Sequence, residues 1–288
     1  MENLTYILSL LKIIVFALNV FLLIIYLFLL LFIRRLSNRI NILIINICFS
    51  TTCISIYFLN DFIMRQYYIE YLFTQITCQF LSYIQSICLC ACSFSFVTIT
   101  INRFFNILYH TKRIFNTKKF MIISVILQWI ISCLISLPFK FYVSLYCSIP
   151  QWLLIYTIVI AIIIPALITF SINFIIFKYV HSSSRRVHQQ VIAIPQQSII
   201  LHQQRSIMNR RDLYLLRHMI FMFSMFIIGW TPIFSLVAFD YNYSVSAIVY
   251  SLLQVLAVIS EFICICDFIF CNQDLRRYIK NKLAFRRD

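Results

Sequence analysis

The chain has 288 residues, 62% hydrophobic and 11% charged, with a net charge of +15 when His is neutral. An ordinary globular domain holds about 45–50% apolar and about 25% charged residues, so too few polar side chains remain here to clothe a water-facing surface. One Gly and five Pro leave little turn chemistry for an all-β or dinucleotide-binding fold, and collagen-like, long disordered and disulfide-scaffold classes are excluded as well.

A multi-pass membrane protein remains, organised as one seven-helix domain over 1–288. The first helix is expected near 7–33. It is too long for the core of a cleaved signal and runs into Arg34 and Arg35, so it reads as a retained anchor. The second is expected near 41–60 and the third near 75–108, the latter carrying Cys78 at its start and Arg103 near its end. The fourth, near 120–139, holds Trp129 and Pro138; the fifth, near 152–179, holds Pro165. The sixth, near 213–239, contains Phe226, Trp230 and Pro232. The seventh, near 245–271, contains Glu261 and Asp267. Each reaches the about 20 residues needed to cross about 30 Å of hydrocarbon. Backbone polar groups in lipid must pair within their own segment, so an all-α bundle is expected; the alternating pattern of a membrane barrel is absent.

The positive charge sits between the helices. The first gap carries Arg34, Arg35 and Arg39, and the third Lys112, Arg113, Lys118 and Lys119. The fifth carries Lys178, Arg185, Arg186, Arg205, Arg210, Arg211 and Arg217, and the tail is rich in Arg and Lys from Arg276 to Arg287. The opposite side has Lys12, Arg65 and Lys140. The positive-inside rule therefore predicts a cytoplasmic C-terminus and an N-terminus outside. It also explains the charge without nucleic acid: the partner that composition demands is the lipid bilayer. The glycosylation acceptors Asn3-Leu4-Thr5 and Asn242-Tyr243-Ser244 both fall on the predicted outside. Nine of the cysteines lie within or at the end of apolar segments and read as packing residues. Cys78 and Cys147 sit at outer ends, where oxidation is possible, and are expected to pair; two free thiols is the other reading.

Over nearly its whole length the chain resembles the rhodopsin-like (class A) G-protein-coupled receptors. Asn19 stands for the Asn of that family's first helix, and Asn41-Ile-Leu-Ile-Ile-Asn46 resembles the start of its second. Helix three begins at Cys78 and ends Ile101-Asn102-Arg103-Phe104, similar to the family's Asp-Arg-Tyr. Trp129, Pro138, Pro165 and Phe226-x-x-x-Trp230-Thr231-Pro232 follow in the family's order. Asn272 to Lys280 resembles the short amphipathic eighth helix, expected at 273–285. Cys78 and Arg103 are separated by about 37 Å of helix, which sets one outside and the other inside.

Helical spacing supports the same plan. Gln85 lies about five whole turns above Arg103, and Asp212 about five whole turns below Trp230, at roughly 3.6 residues per turn. If Arg103 faces the bundle, so does Gln85. If Trp230 lines the cavity floor, Asp212 faces inward where it can pair with Arg103; the bland reading of Asp212 is an exposed loop acid.

Departures from the family pattern matter as well. The acid before the helix-three Arg is Asn102, the helix-two Asp falls on Thr51, and a partner of that Asp falls on Cys92. Two sodium ligands are thereby missing, and no metal or cofactor is expected. The helix-five Tyr falls on Asn173, and the helix-seven Asn-Pro-x-x-Tyr degrades to Asp267-Phe-Ile-Phe270. Asp267 is expected to supply the acid that Thr51 lacks.

The resemblance implies an extracellular ligand and a heterotrimeric G protein as partners at the plasma membrane. Gln85 occupies the place where amine receptors carry Asp, and residues 245–271 contain no Lys for a retinal Schiff base; lipid ligands stay open, but Gln at that place resembles several peptide receptors, so the resemblance favours a peptide-like ligand. Gln85, Trp230 and Glu261 are the expected ligand contacts. Asn102, Arg103, Asp212, Phe226, Pro232 and Asp267 are the expected activation switch. An acid at membrane depth costs about 2.5–3.5 kcal/mol to insert, so Glu261 carries a role: meeting a ligand's cation or pairing inside the bundle. No enzyme is expected, because all five His fall in or beside cytoplasmic loops, away from any intramembrane hydrolase site. A transporter is the alternative, though Pro138, Pro165 and Pro232 show no repeat pairing.

Overall fold

The computed structural model describes residues 2–32, 39–68, 75–108, 117–143, 149–190, 199–239 and 245–271. Within these, the side chains of 2, 3, 5, 32, 39–41, 75, 180–190, 199–216 and 219 are outside the description. The elements are α1 (Glu2–Phe32), α2 (Arg39–Tyr67), α3 (Gln75–Leu108), α4 (Lys118–Tyr142), α5, α6 (Ile199–Phe239) and α7 (Ala247–Cys271). Helix α5 is built from Gln151–Ile158, a π-helical turn Val159–Ile163, and Ile164–Gln190. All seven contain a stretch long and apolar enough to cross a membrane, and no strand occurs among the described residues. The surface helix expected at 273–285 lies outside the described residues.

The helices outrun their apolar stretches for local reasons. Helix α2 continues to Tyr67, past the expected end at 60, and there Asp61 accepts from Arg65 one turn on at 2.9 Å. Helix α6 starts at Ile199, well ahead of 213, through a run rich in Gln, Arg, Leu and Met, which favour helix. Thr117 caps α4, its hydroxyl accepting from the Phe120 amide at 3.3 Å. In α5, Pro165 has no N–H to give the carbonyl four residues back, and its ring crowds that carbonyl. The π turn relieves this, with the Ile164 amide bonding the Val159 carbonyl five residues earlier.

Successive helices run up and down, as their contacts show. At one end, called the upper, Lys12 of α1 meets Gln254 of α7, Gln79 of α3 meets Val143 after α4, and Gln151 of α5 meets Ala238 of α6. At the lower end Phe105 of α3 packs edge-on against Phe120 of α4. Helix α3 is the central post, packed on α2, α4 and α5 and touching α6, while α7 lies between α1 and α6.

Burial follows helical spacing. On α1, Phe16, Asn19, Leu23, Tyr26 and Leu30 recur three and four residues apart and are buried, whereas Ile14, Phe21, Phe28 and Leu31 stay exposed. The exposed apolar face is what a lipid-facing surface requires.

A buried polar network joins α2, α3 and α4. The Asn46 amide donates to Ser95 Oγ at 3.1 Å and to Gln128 Oε1 at 2.9 Å. Gln128 Nε2 donates to Ser95 Oγ at 2.8 Å and to the Ala91 carbonyl at 2.9 Å, and Trp129 Nε1 donates to Asn46 Oδ1 at 3.0 Å. In lipid such bonds are the specific glue between helices that apolar surface cannot supply.

Candidate functional site

Two polar constellations lie on the inward faces, one at mid-bundle and one at the lower end. At mid-bundle α2, α3, α6 and α7 leave a cavity of about 20 Å³, with Thr51, Cys92, Phe226, Trp230, Glu261 and Phe268 among its walls. That is room for about one water. Glu261 is buried, with Oε1 hydrogen-bonded to the Ser55 hydroxyl. Its Oε2 is buried with no hydrogen-bond partner among the described residues. Ser55 Oγ also lies 2.8 Å from the Thr51 carbonyl, so the acid is tied to α2.

Trp230 stacks on Phe58 with ring centroids 4.8 Å apart, and Phe226 packs against Phe96 of α3 at 5.7 Å. Pro232 is half-buried just above Trp230. Gln85 is half-buried and accepts from the Tyr57 hydroxyl at 3.4 Å. It is not among the cavity's walls. Of the three expected ligand contacts, then, Trp230 and Glu261 are brought together and Gln85 is not.

The acid expected beside Thr51 is Glu261, not Asp267. The Thr51 hydroxyl bonds the Ile47 carbonyl at 2.8 Å and sits 3.9 Å from Cys92 Sγ, while Asp267 lies a turn and a half further down α7 and faces α6. An α-helix advances about 1.5 Å per residue, so the two acids sit about 9 Å apart along the axis and serve different levels.

At the lower end His218 Nδ1 lies 2.5 Å from Asp267 Oδ2, and the Cys271 thiol donates to Asp267 Oδ1 at 3.0 Å. Burial holds the His218 pKa below its ordinary value; Asp267 raises it, and the Arg103 guanidinium pushes it down. Burial thus favours the neutral imidazole, which lies against the carboxylate. Arg103 of α3 is half-buried close to this group, and Asn102 beside it is buried with Oδ1 unpartnered among the described residues. The side chain of Asp212 lies outside the described residues, and with it the expected pairing to Arg103.

Cys78 is disulfide-bonded, and the nine other described cysteines are not in disulfides. Cys147 and Asn242 lie outside the described residues, as does the side chain of Asn3.

Sequence reasoning missed several residues. Lys12, counted only as an outside charge, is 4% exposed, donates to Gln254 Oε1 at 2.6 Å and lies over the Phe62 ring at 4.8 Å. Its signal was present: it falls one turn before Phe16 on the buried face of α1. His218 and Cys271 were passed over as a loop histidine and a packing thiol, because their shared partner Asp267 is close to them only in space. Asn19 is fully buried with its amide unpartnered among the described residues.

The family model for seven-transmembrane receptors of the rhodopsin family matches residues 18–269. The crystal structure of squid rhodopsin is similar in fold, with a TM-score of 0.78 at 17% identity over 99% of this chain and 87% of that one. No curated protein matches the sequence.

Proposed function

The chain belongs to the rhodopsin family of seven-transmembrane receptors, and from that premise we propose that it carries an extracellular, peptide-like signal across the plasma membrane to a heterotrimeric G protein. The basic lower end faces the cytoplasm and the N-terminus lies outside. A Cys78–Cys147 disulfide holds the second outer loop over the upper end. The ligand enters between the upper ends of α3, α5, α6 and α7, touches Gln85, and acts on Trp230 and Glu261 beneath.

The observation that supports this reading is the small cavity under Trp230, at the level where Pro232 removes one rung of the α6 backbone ladder. A helix with an internal Pro beside an unfilled space has somewhere to move. Rotation of α6 there carries Phe226 across Phe96 and opens the lower end around Arg103. Such activation is a population shift, so the ligand must bind the open state more tightly than the closed one.

The test is ligand-free signalling. The family's acid next to the helix-three Arg is Asn102 here, which leaves Asp212 as the candidate carboxylate holding Arg103 in the closed state. Asp212→Asn should raise second-messenger output without ligand, and Asn102→Asp should lower it, by a factor within roughly 5- to 150-fold. Output is normalised to surface expression. If neither variant moves it, Asp212 is a surface charge and this lock is wrong.

A further inference from the structure

The lower-end group does more than bond α6 to α7. His218, Asp267 and Cys271 each offer one ligand atom, and these atoms all lie within 4.8 Å of one another. They come from two helices: His218 from α6, and Asp267 with Cys271 one turn apart on α7. We propose that they form a binding site for a divalent transition-metal ion, zinc above all, which staples the lower ends of α6 and α7 beside Arg103.

The chemistry of the donors selects the metal. Imidazole nitrogen, thiolate sulfur and a carboxylate oxygen suit zinc, whereas magnesium and calcium want oxygen ligands alone. Zinc binds nitrogen and oxygen at about 2.0–2.2 Å and sulfur at about 2.3 Å, so a tetrahedral site spaces its ligand atoms by roughly 3.3–3.8 Å. Here Nδ1 and Oδ2 are 2.5 Å apart, and Sγ and Oδ1 are 3.0 Å apart. Those two pairs have only to part slightly around an ion, and every pair of ligand atoms lies within 4.8 Å. All three are half-buried, which leaves a fourth position for water.

Charge is balanced as well. On binding, Cys271 loses its proton to water, while the neutral His218 puts its single proton on Nε2, which frees the Nδ1 facing Asp267 for the ion. Asp267 and the Cys271 thiolate then bring two negative charges to a divalent ion. The assembled site is neutral, so the nearby Arg103 does not repel it.

The site goes beyond the signalling reading and is tested without ligand or G protein. The full chain is purified, reconstituted in lipid nanodiscs, stripped of metal, and titrated with zinc and separately with cobalt. The expected result is one equivalent of zinc bound, a raised thermal midpoint, and a thiolate-to-cobalt charge-transfer band. His218→Ala and Cys271→Ser should each weaken zinc binding by about tenfold or more, a loss of the size that disturbing a metal site brings. Cys271→Ser should abolish the band, and Cys133→Ser should change neither. If Cys271→Ser does not fold, Cys271→His serves instead and should keep the zinc while losing the band. No bound equivalent in the parent chain, or a band that survives replacement of Cys271, would overturn the proposal.

Discussion

Gln128 shows how much one side chain settles. A Gln in an apolar run is costly in lipid unless its amide is satisfied, and here both ends of the amide are used, across three helices. Interhelical hydrogen bonds in membranes average about 0.6 kcal/mol each and reach about 1.7, because the separated helices also find partners. Gln128→Leu should therefore cost about 1–2 kcal/mol, read as a lower thermal midpoint in detergent, with Trp129→Phe costing less because it removes one bond. Equal midpoints for Gln128→Leu and the parent would show that the network orients α4 without stabilising it. Lys12 belongs to the same scale. Its ammonium is kept in the bundle by one carbonyl oxygen and one aromatic face, a pairing that hydropathy cannot foresee.

Between elements, α6 and α7 approach closely at Gly229. Gly229 is the only Gly in the chain, and a Cβ built there would sit 1.8 Å from Ser260 Oγ and 2.6 Å from Ser260 Cβ. The hydroxyl can turn away, but the Cβ cannot. Two effects oppose each other in Gly229→Ala. Ala is the better helix former by about 1 kcal/mol. Overpacking costs about 1–3 kcal/mol. With backbone-fixed atoms in collision the second prevails, so Gly229→Ala should lower the thermal midpoint, and adding Ser260→Gly should restore part of it. A stabilised single variant would mean that α6 and α7 separate readily at this level. Close approach here also explains why Cys264 Sγ reaches the Met222 carbonyl at 3.6 Å. One helical turn from Met222, the same seam brings His218 to Asp267.

For the whole molecule, the charge asymmetry and the disulfide make one joint prediction. Asn3 and Asn242 should carry glycans when the chain is expressed in cells, and a tag after Asp288 should stain only after permeabilisation. Cys78→Ser should cut surface expression sharply. C-terminal staining on intact cells would reverse the orientation, and an unaltered Cys78→Ser protein would leave the disulfide without a role in assembly. The seven-helix order and the central α3 place one polar layer at mid-bundle and another at the lower end.

Much of this was legible in the amino acids. Hydropathy sets the number and order of spans, because every backbone group in lipid must find its partner within its own segment. Ordered landmarks such as Asn19, Arg103, Trp129 and Trp230 marked the family. The family resemblance placed Trp230 at the cavity floor, and the five-turn spacing set Gln85 on the face of Arg103, since helical periodicity is a local property. Which polar groups meet across helices was decided only by the tertiary structure. Glu261 rather than Asp267 serves the level of Thr51, because depth along α7 depends on how that helix is set against α2. Gln85 and Glu261 both face inward, yet Gln85 turns to Tyr57 and stays out of the cavity. His218, Asp267 and Cys271 meet because α6 and α7 approach closely from Gly229 downward, a matter of packing that no single helix encodes.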